Sequence, residues 1–259
     1  MEPTSGKAPF DVIAPDYDAS RGGTERAAGF ADMLAPLLDP GLPVLDIGVG
    51  TGIVAAELSA RGHLVHGLDL SPAMLARARD RLGPRVAVAD ACRLPVRTGS
   101  VEQAVSTWLL HTGPDHAQVF DEVARVLRPG GRYLVVPAGG TRPTDDVGRI
   151  VGDLEERLDP GRTRQDGPWT LAPIAEARGL VYRGRASERP VTFRISPRDM
   201  ARSLSRGLFT GAWAIGGEGA DRLVEETRSR LLALPDPEVQ RVREAADYVM
   251  VFAKPGPAA

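Results

Sequence analysis

Cysteine, lysine and long apolar runs are scarce in this chain of 259 residues. Cys92 is the single cysteine, which excludes an internal disulfide and a cysteine-rich zinc or iron–sulfur site. No run of about 18 apolar residues could span a bilayer, and no charged-then-apolar leader opens the chain. The sequence therefore predicts a cytoplasmic protein without a membrane partner.

The numbers of acidic and basic residues are nearly equal. The 34 acidic residues face 32 basic ones, of which all but Lys7 and Lys254 are arginine, for a net charge of −2. Neutralising phosphates requires an excess of basic residues, so this balance disfavours a nucleic-acid partner. No cluster of histidines and acidic residues has the spacing of a metal site. The 42% of hydrophobic residues can supply the core of one large domain with an added cap.

Short apolar strands alternate with amphipathic helices from about residue 42 to residue 136, and two more strand patterns follow at 180–185 and 248–253. This rhythm is typical of a parallel sheet covered on both faces. It predicts an α/β fold, with a Rossmann-like, doubly wound and mostly parallel seven-stranded sheet, helices on both faces and a helical cap insertion. The rhythm loosens after Pro137, and residues 141–168 are polar and rich in glycine and proline.

Residues 44–52 (VLDIGVGTG) form an apolar strand that runs into a glycine turn. Glycines permit positive φ and let a ligand approach the backbone closely, and strand ends of an open parallel sheet are where ligands bind. A dinucleotide-binding loop has its third glycine at the sixth position, which counted from Gly48 is Ile53. The carboxylate of Asp46, just before the turn, disfavours a pyrophosphate and favours a ligand with a cationic part.

Carboxylates also follow the next two strands. Asp69 ends the second strand, where it can accept hydrogen bonds from both hydroxyls of a ribose, and Asp90 follows the third, where it can accept from an exocyclic amine. Taken alone, each of these two aspartates is explained equally well as an ordinary solvated loop residue. Three successive strand ends converge on one crevice, however, so together with Asp46 they predict one binding site.

With these motifs the chain resembles the class I S-adenosylmethionine-dependent methyltransferases, most closely the small-molecule type called methyltransferase type 11. The resemblance covers about residues 10–137 and fades beyond them. The segments that carry it are 46–52, 68–75, 89–91, 94–95, 100–101, 108–111 and 125–131.

The resemblance implies S-adenosylmethionine as the cofactor and gives roles to residues by position. The glycine loop would hold the methionine portion, with Asp46 near its ammonium, Asp69 on the ribose and Asp90 on the adenine amino group. An N-terminal tyrosine would close over the cofactor. The complete set of implied cofactor-binding residues is Tyr17, Arg21, Asp46, Gly48, Gly50, Gly52, Asp69, Leu70, Met74, Asp90, Ala91, Thr107 and Trp108.

Methyl transfer from a sulfonium is an in-line displacement in which alignment and exclusion of water supply much of the rate. A base is needed only when the acceptor must lose a proton, and His111 is the candidate because it follows the fourth strand. The competing interpretation is that His111 has no catalytic role. Aromatic residues beyond the resemblance either pack a subdomain core or line an acceptor pocket, and the candidates for substrate binding are Trp169, Phe209 and Trp213. Phe193, Phe209 and Trp213 lie in the predicted cap, and Trp169 precedes a predicted helix.

We expect three parts of the chain. Residues 1–23 form a tail and a cofactor-closing segment, residues 24–190 and 238–255 the Rossmann-like domain, and residues 191–237 the helical cap and substrate segment. The predicted activity is methyl transfer to a small-molecule acceptor such as a specialised metabolite. Two alternatives stay open, a nicotinamide-dependent oxidoreductase and a non-catalytic cofactor-binding protein of the same fold. The acceptor atom and the oligomeric state are not readable from the sequence.

Overall fold

A computed structural model of the protein describes residues 9–138, 145–158, 166–205 and 218–256. Within these ranges the chain forms a seven-stranded sheet with the order β3-β2-β1-β4-β5-β7-β6. The strands are β1 (Val44–Ile47), β2 (Val65–Asp69), β3 (Val86–Val88), β4 (Val101–Thr107), β5 (Leu127–Val136), β6 (Val181–Ile195) and β7 (Arg241–Ala253). Strands β1 to β5 pair in parallel, whereas β7 is antiparallel to both β5 and β6. The predicted α/β fold with a mostly parallel sheet is confirmed.

Ten α-helices surround this sheet in the described residues. They are α1 (Pro9–Ile13), α2 (Tyr17–Ser20), α3 (Gly23–Leu34), α4 (Ile53–Ala60), α5 (Pro72–Leu82), α6 (His116–Val126), α7 (Asp146–Leu158), α8 (Pro168–Glu176), α9 (Pro197–Ser205) and α10 (Glu218–Leu232). None of them is both long enough and apolar enough to cross a bilayer. The start of α5 shows a common helix-capping pattern. The Ser71 hydroxyl accepts a hydrogen bond from the Met74 amide, and proline occupies the first helical position.

Strand β5 shows how the two faces of the sheet are built. Successive side chains of a strand point to opposite faces. Leu134 and Val136 pack with residues of α3, α4 and α5, whereas Tyr133 and Val135 pack with residues of α6 and α8. The sheet is thus buried on both sides, and the apolar run at the end of β5 supplies side chains to both faces.

Helices α7, α9 and α10 share a separate apolar core, which we call the cap core. Its buried members are Val147, Leu154, Leu158, Ala201, Leu204, Ala220 and Leu231. Helix α7 lies within residues 141–168, for which the sequence analysis named no element. Its apolar residues recur at helical spacing and pack on α10. The helical part of the cap also begins later than residue 191, since residues 191–195 continue β6 and pair with β7. Phe193 accordingly lies buried in the sheet and not in the cap.

Helix α3 begins at Gly23 and passes into a 3₁₀ turn at Ala35–Leu37. Its N-cap is Gly22, in a left-handed conformation with φ +88°. A Cβ at Gly22 would lie 2.7 Å from the ring of Phe193, so glycine also lets this turn approach β6 closely.

Candidate active site

The glycine loop links the end of β1 to α4. Gly48, Gly50 and Gly52 all have positive φ, of +78°, +55° and +74°. The amides of Gly48 and Val49 donate to the Leu68 carbonyl over 2.7 and 2.9 Å, which holds the loop against the end of β2. A Cβ at Gly48 would lie 2.8 Å from the Leu109 side chain, so the turn also packs closely against the segment after β4.

Asp69 fixes the same loop from the end of β2. Its Oδ2 accepts from the Gly50 amide and its Oδ1 from the Ser71 amide, each over 2.8 Å. Burial raises the pKa of Asp69 above its ordinary value, although these amide hydrogen bonds oppose the shift. A carboxylate oxygen can accept more than one hydrogen bond, so both oxygens keep acceptor capacity for a ligand. Contact of Asp69 with a ribose stays a prediction.

Asp46 is the buried carboxyl of the site, with 3% of the residue exposed. Its Oδ1 has no hydrogen-bond partner among the described residues. Burial, and secondarily the charge of Asp69, raise the pKa of Asp46 to about 7. An ionised carboxylate here is costly until a cation or donor compensates it. This unpartnered oxygen beside the glycine loop fits the ammonium of S-adenosylmethionine.

The residues assigned to the adenine lie partly in the open and partly under the N-terminal helices. Leu70 is 60% exposed at the end of β2, an unusual position for a large apolar side chain. Asp90 is exposed as well, and its Oδ1 accepts from the Cys92 amide over 2.8 Å while Ala91 is half-buried. Met74 is buried in a small cluster with Ile13 and Ala14. Leu70 and Asp90 are therefore accessible to a base, whereas Met74 lies beneath the N-terminal helices.

Two aspartates that the sequence analysis missed hold α1 and α2 over the crevice. Asp11 accepts from the Ser71 hydroxyl over 2.5 Å and from the Ala73 amide over 3.2 Å. Asp18 accepts from the Thr51 hydroxyl over 2.5 Å and lies 2.7 Å from the guanidinium of Arg81. Their partners are 33 to 63 residues away in the chain, so no local pattern could have revealed them.

Trp108 follows β4 directly and has a φ of +55°. A positive φ in a bulky residue is strained, and such strain concentrates at functional sites. The Trp108 indole stands edge-on to Phe30, with ring centroids 4.8 Å apart. Its Nε1, and the hydroxyl of Thr107 before it, are buried without hydrogen-bond partners in the described part of the chain. These two donors lie where the resemblance places the reacting end of the cofactor.

A pocket joins the N-terminal segment to the glycine-loop side of the crevice. It is lined by Tyr17, Asp18, Arg21, Gly23, Arg26, Ala27, Ile53, Val54 and Trp108. The structure thus brings together Tyr17, Arg21 and Trp108, which are predicted from distant parts of the sequence. Arg26 is a further pocket residue, and sequence reasoning missed it because an arginine is an unremarkable helix residue in so arginine-rich a chain.

The structure gives less support to the other candidate residues, those for the base and for substrate binding. His111 is half-buried in the 3₁₀ turn Leu110–Thr112, two residues beyond Leu109, whose side chain packs on Gly48. Trp169 opens α8 and is 90% exposed, so within the described residues it encloses nothing. Phe209 and Trp213 lie outside the described residues. No group of three or more histidine, cysteine, aspartate or glutamate side chains that could hold a metal ion occurs in the part of the chain that is described.

The sheet order, the glycine loop and the acidic strand ends define a class I methyltransferase fold. Residues 45–135 match the family model described as a methyltransferase domain. This part of the chain is therefore similar to the methyltransferase domain of that family.

Proteins similar to this chain are named for different activities. The chain is 32% identical over 155 residues to arsenite methyltransferase of Halobacterium salinarum, a match that covers 55% of this chain and 39% of that protein. It is 36% identical over 130 residues to demethylmenaquinone methyltransferase of a Mycobacterium species, covering 49% of this chain and 56% of that one. The matches thus span about half or less of the length of these relatives.

A solved structure agrees on the fold. The phosphoethanolamine N-methyltransferase 2 of Haemonchus contortus, in complex with S-adenosyl-L-methionine, superposes with a TM-score of 0.55. The match covers 95% of this chain and 57% of that chain, with 22% sequence identity. At this identity the likeness extends to the fold alone.

Proposed function

We propose that this protein transfers the methyl group of S-adenosylmethionine to a small-molecule acceptor, of the kind found in specialised metabolism. The observation that carries the proposal is the buried Asp46, with an unpartnered oxygen beside a positive-φ glycine loop that Asp69 braces. A carboxyl in that position is unfavourable for stability alone, and a cationic ligand compensates it. The arsenite and demethylmenaquinone methyltransferases act, by their names, on small molecules, which supports the same acceptor class.

Each part of the crevice has a task in this proposal. Asp46 forms an ion pair with the ammonium of the cofactor, and Asp69 accepts hydrogen bonds from its ribose. Leu70 and Asp90 contact its adenine. Tyr17 and Arg21 cover the cofactor from α2 and the residue that follows it. Asp18 ties α2 to the glycine loop and to α5, and Asp11 ties α1 to the start of α5. Bound S-adenosylmethionine supplies an already activated methyl group.

The chain contributes alignment to the reaction. A lone pair of the acceptor attacks the methyl carbon as the carbon–sulfur bond breaks, and any acceptor proton passes to solvent or to a base. Thr107 and Trp108 face this end with buried donors, and the strained turn at Trp108 fixes the wall against which the acceptor is placed. We assign His111 as the candidate base only for an acceptor that must lose a proton.

The cap is proposed to enclose the acceptor. We place it in α7, α9, α10 and the chain between them, and we retain Trp169, Phe209 and Trp213 as proposed acceptor contacts. The N-terminal segment up to residue 23 is the proposed cofactor-closing part, and the sheet with its two helical layers is the proposed Rossmann-like domain.

The test is transfer of label from methyl-labelled S-adenosylmethionine into small molecules of a cell extract. We expect labelled product with the wild-type protein and none with a folded Asp69→Ala variant. The exposed Asp80→Ala on α5 is the matched control and should remain active. Tight binding of S-adenosylhomocysteine without label transfer to any extract would favour the non-catalytic alternative, and binding of a nicotinamide cofactor instead would favour an oxidoreductase.

A further inference from the structure

The loop that follows β3 carries Asp90 at the open side of the crevice. Residues 89–99 form no helix and no strand, apart from one isolated bridge between Asp90 and Arg93. At its start the Ala89 amide donates to the Asp69 carbonyl over 2.9 Å, which ties the loop to the end of β2. Contacts with another element are needed to fix the rest of the loop.

Two side chains of α6 hold the middle of this loop. The carboxylate of Glu122 accepts from the Leu94 amide over 2.6 Å. Arg125 donates to the carbonyls of Leu94 and Val96 over 2.9 and 2.8 Å, and to the Thr98 hydroxyl over 3.2 Å. One helix therefore satisfies both backbone groups of Leu94 and the carbonyl of Val96.

Glu122 and Arg125 also hold each other. Nε and one terminal nitrogen of Arg125 donate to the two carboxylate oxygens of Glu122, each over 2.7 Å. This pairing lowers the pKa of the Glu122 carboxyl below its ordinary value. A guanidinium has five N–H donors in a fixed plane, and the two bonds to Glu122 with the three to the loop use all five. The pair is thus matched to one conformation of the loop.

The clamped part of the loop is joined directly to Asp90. The Oδ1 of Asp90 accepts from the Cys92 amide, and the Arg93 amide donates to the Asp90 carbonyl over 2.9 Å, which closes a tight turn. Leu94 is the next residue and is buried, with 4% exposed. Since the Asp90 side chain is exposed, the backbone of this turn sets its direction. That direction depends on where α6 holds Leu94.

We propose that Glu122 and Arg125 are positioning residues for the base of the cofactor. By holding the loop they aim the Asp90 carboxylate at the exocyclic amino group of the adenine, and so make the site select adenine over a base without that group. Neither residue touches the cofactor in this proposal, because both act through Asp90. The inference rests on the proposed function, since it assumes that Asp90 accepts from the adenine. A pair that served the fold alone would affect all ligands equally.

The test uses calorimetry of the full chain with S-adenosylhomocysteine and with S-inosylhomocysteine, whose base has a carbonyl oxygen in place of the amino group. A carboxylate accepts from the amine and repels the carbonyl oxygen, so the wild-type protein should prefer the adenosyl ligand by about tenfold or more. Asp90→Ala should remove most of this preference. Arg125→Gln should reduce it to about threefold or less. The matched control is Arg97→Gln, an exposed arginine of the same loop, which should keep the wild-type preference.

Two further variants separate positioning from folding. Arg125→Lys retains the charge without the planar donors and should give an intermediate preference, and it covers the case in which the glutamine variant does not fold. In an Asp90→Ala background, Arg125→Gln should not change the preference further, because the pair acts through Asp90.

Three results would overturn the inference and leave the proposed function in place. They are equal affinity of the wild-type protein for the two ligands, a folded Arg125 variant of either kind that keeps the wild-type preference, and an Arg125→Gln variant that weakens both ligands by the same factor. A wild-type protein that binds neither ligand would instead refute the proposed function.

Discussion

The cofactor crevice and the cap differ in how completely their polar groups are satisfied. In the crevice, Asp46, Thr107 and Trp108 each keep a buried polar atom without a partner among the described residues, and Trp108 is strained. In the described part of the cap, several surface charges are paired, as in the two hydrogen bonds of 2.7 and 2.9 Å between Arg157 and Glu226. An apolar core of its own holds the cap together.

This difference indicates what each region is built for. Buried groups without partners are unfavourable for folding, and they persist where a ligand completes them. A region whose apolar side chains are buried and whose charges are paired at the surface needs no ligand to be stable. The crevice is therefore expected to respond to cofactor and pH, and the cap to the loss of packing.

The largest effect should follow from Asp69→Ala, because Asp69 braces the glycine loop and is assigned to the ribose. Charge-assisted hydrogen bonds contribute about 1.5–3 kcal/mol each, so losing two should weaken S-adenosylhomocysteine binding by roughly a hundredfold or more. Calorimetry measures the affinity, and circular dichroism checks the fold. A folded variant with wild-type affinity would exclude Asp69 from the site.

The cap is best tested at Leu231, which is fully buried, against its neighbour Leu232, which is 40% exposed. Leu231→Ala should remove about 2–5 kcal/mol of stability from the cap core, whereas Leu232→Ala should cost much less. Hydrogen exchange should show the loss in α7, α9 and α10, with the affinity for S-adenosylhomocysteine nearly unchanged. Loss of cofactor affinity in parallel with the cap would show that the two regions are not independent.

The third effect is the pH dependence of the crevice. The pKa of Asp46 rises from its ordinary 3.8 to about 7 in the folded protein. The folded state thus binds more protons than the unfolded state between these values, so without ligand its stability should fall as pH rises through this window and level off above about 7. Asp46→Asn should remove this contribution, as chemical unfolding at several pH values would show.

Cofactor binding should have the opposite pH dependence at Asp46. The ammonium of the ligand favours the ionised carboxylate, so binding near pH 6 should release a proton and affinity should rise up to about pH 7. Calorimetry of S-adenosylhomocysteine in buffers of different ionisation enthalpy measures this release, with Asp46→Asn as the comparison. Proton uptake, or equal release in both proteins, would contradict the pairing of Asp46 with the ammonium.

The smallest effect is expected from His111→Ala. If alignment supplies the rate, this variant should keep turnover near the wild-type value, since the methyl group is already activated. A loss of a hundredfold or more would instead identify His111 as the base. Turnover of the variant and of the wild-type protein is compared at saturating cofactor, after the variant has been shown to bind S-adenosylhomocysteine normally.

The same contrast explains how far the sequence alone could lead. The glycine loop, Asp46 and Asp69 lie within motifs of a few residues, because each sits at the end of a strand whose apolar pattern is local. The contacts of Asp11 and Asp18 join segments far apart in the chain, and nothing near them in sequence announces a partner. Arg26 was missed for the same reason, since the three aromatic rings near its guanidinium come from α3, β6 and the end of β4.

The predicted lengths of the last two strands were too short, because pairing between the two strands, and not their local sequence, sets where they end. Strands β6 and β7 extend to Ile195 and back to Arg241 because they pair with each other beyond the rest of the sheet, where their sequences are more polar than a central strand. Helix α7 did carry a signal, since Val147, Ile150, Val151 and Leu154 recur at helical spacing. The glycines and prolines around it hid that pattern.

The register of β6 and β7 has a consequence for how this protein can change. Ile195 and Arg241 are opposite each other in the antiparallel ladder, so the 45 residues between them leave and re-enter the sheet at neighbouring points. An insertion with adjacent ends can be lengthened, replaced or exchanged without shifting the strands that carry it. The ladder therefore makes α9 and α10 a module, which selection can alter while the crevice at the other half of the sheet stays unchanged.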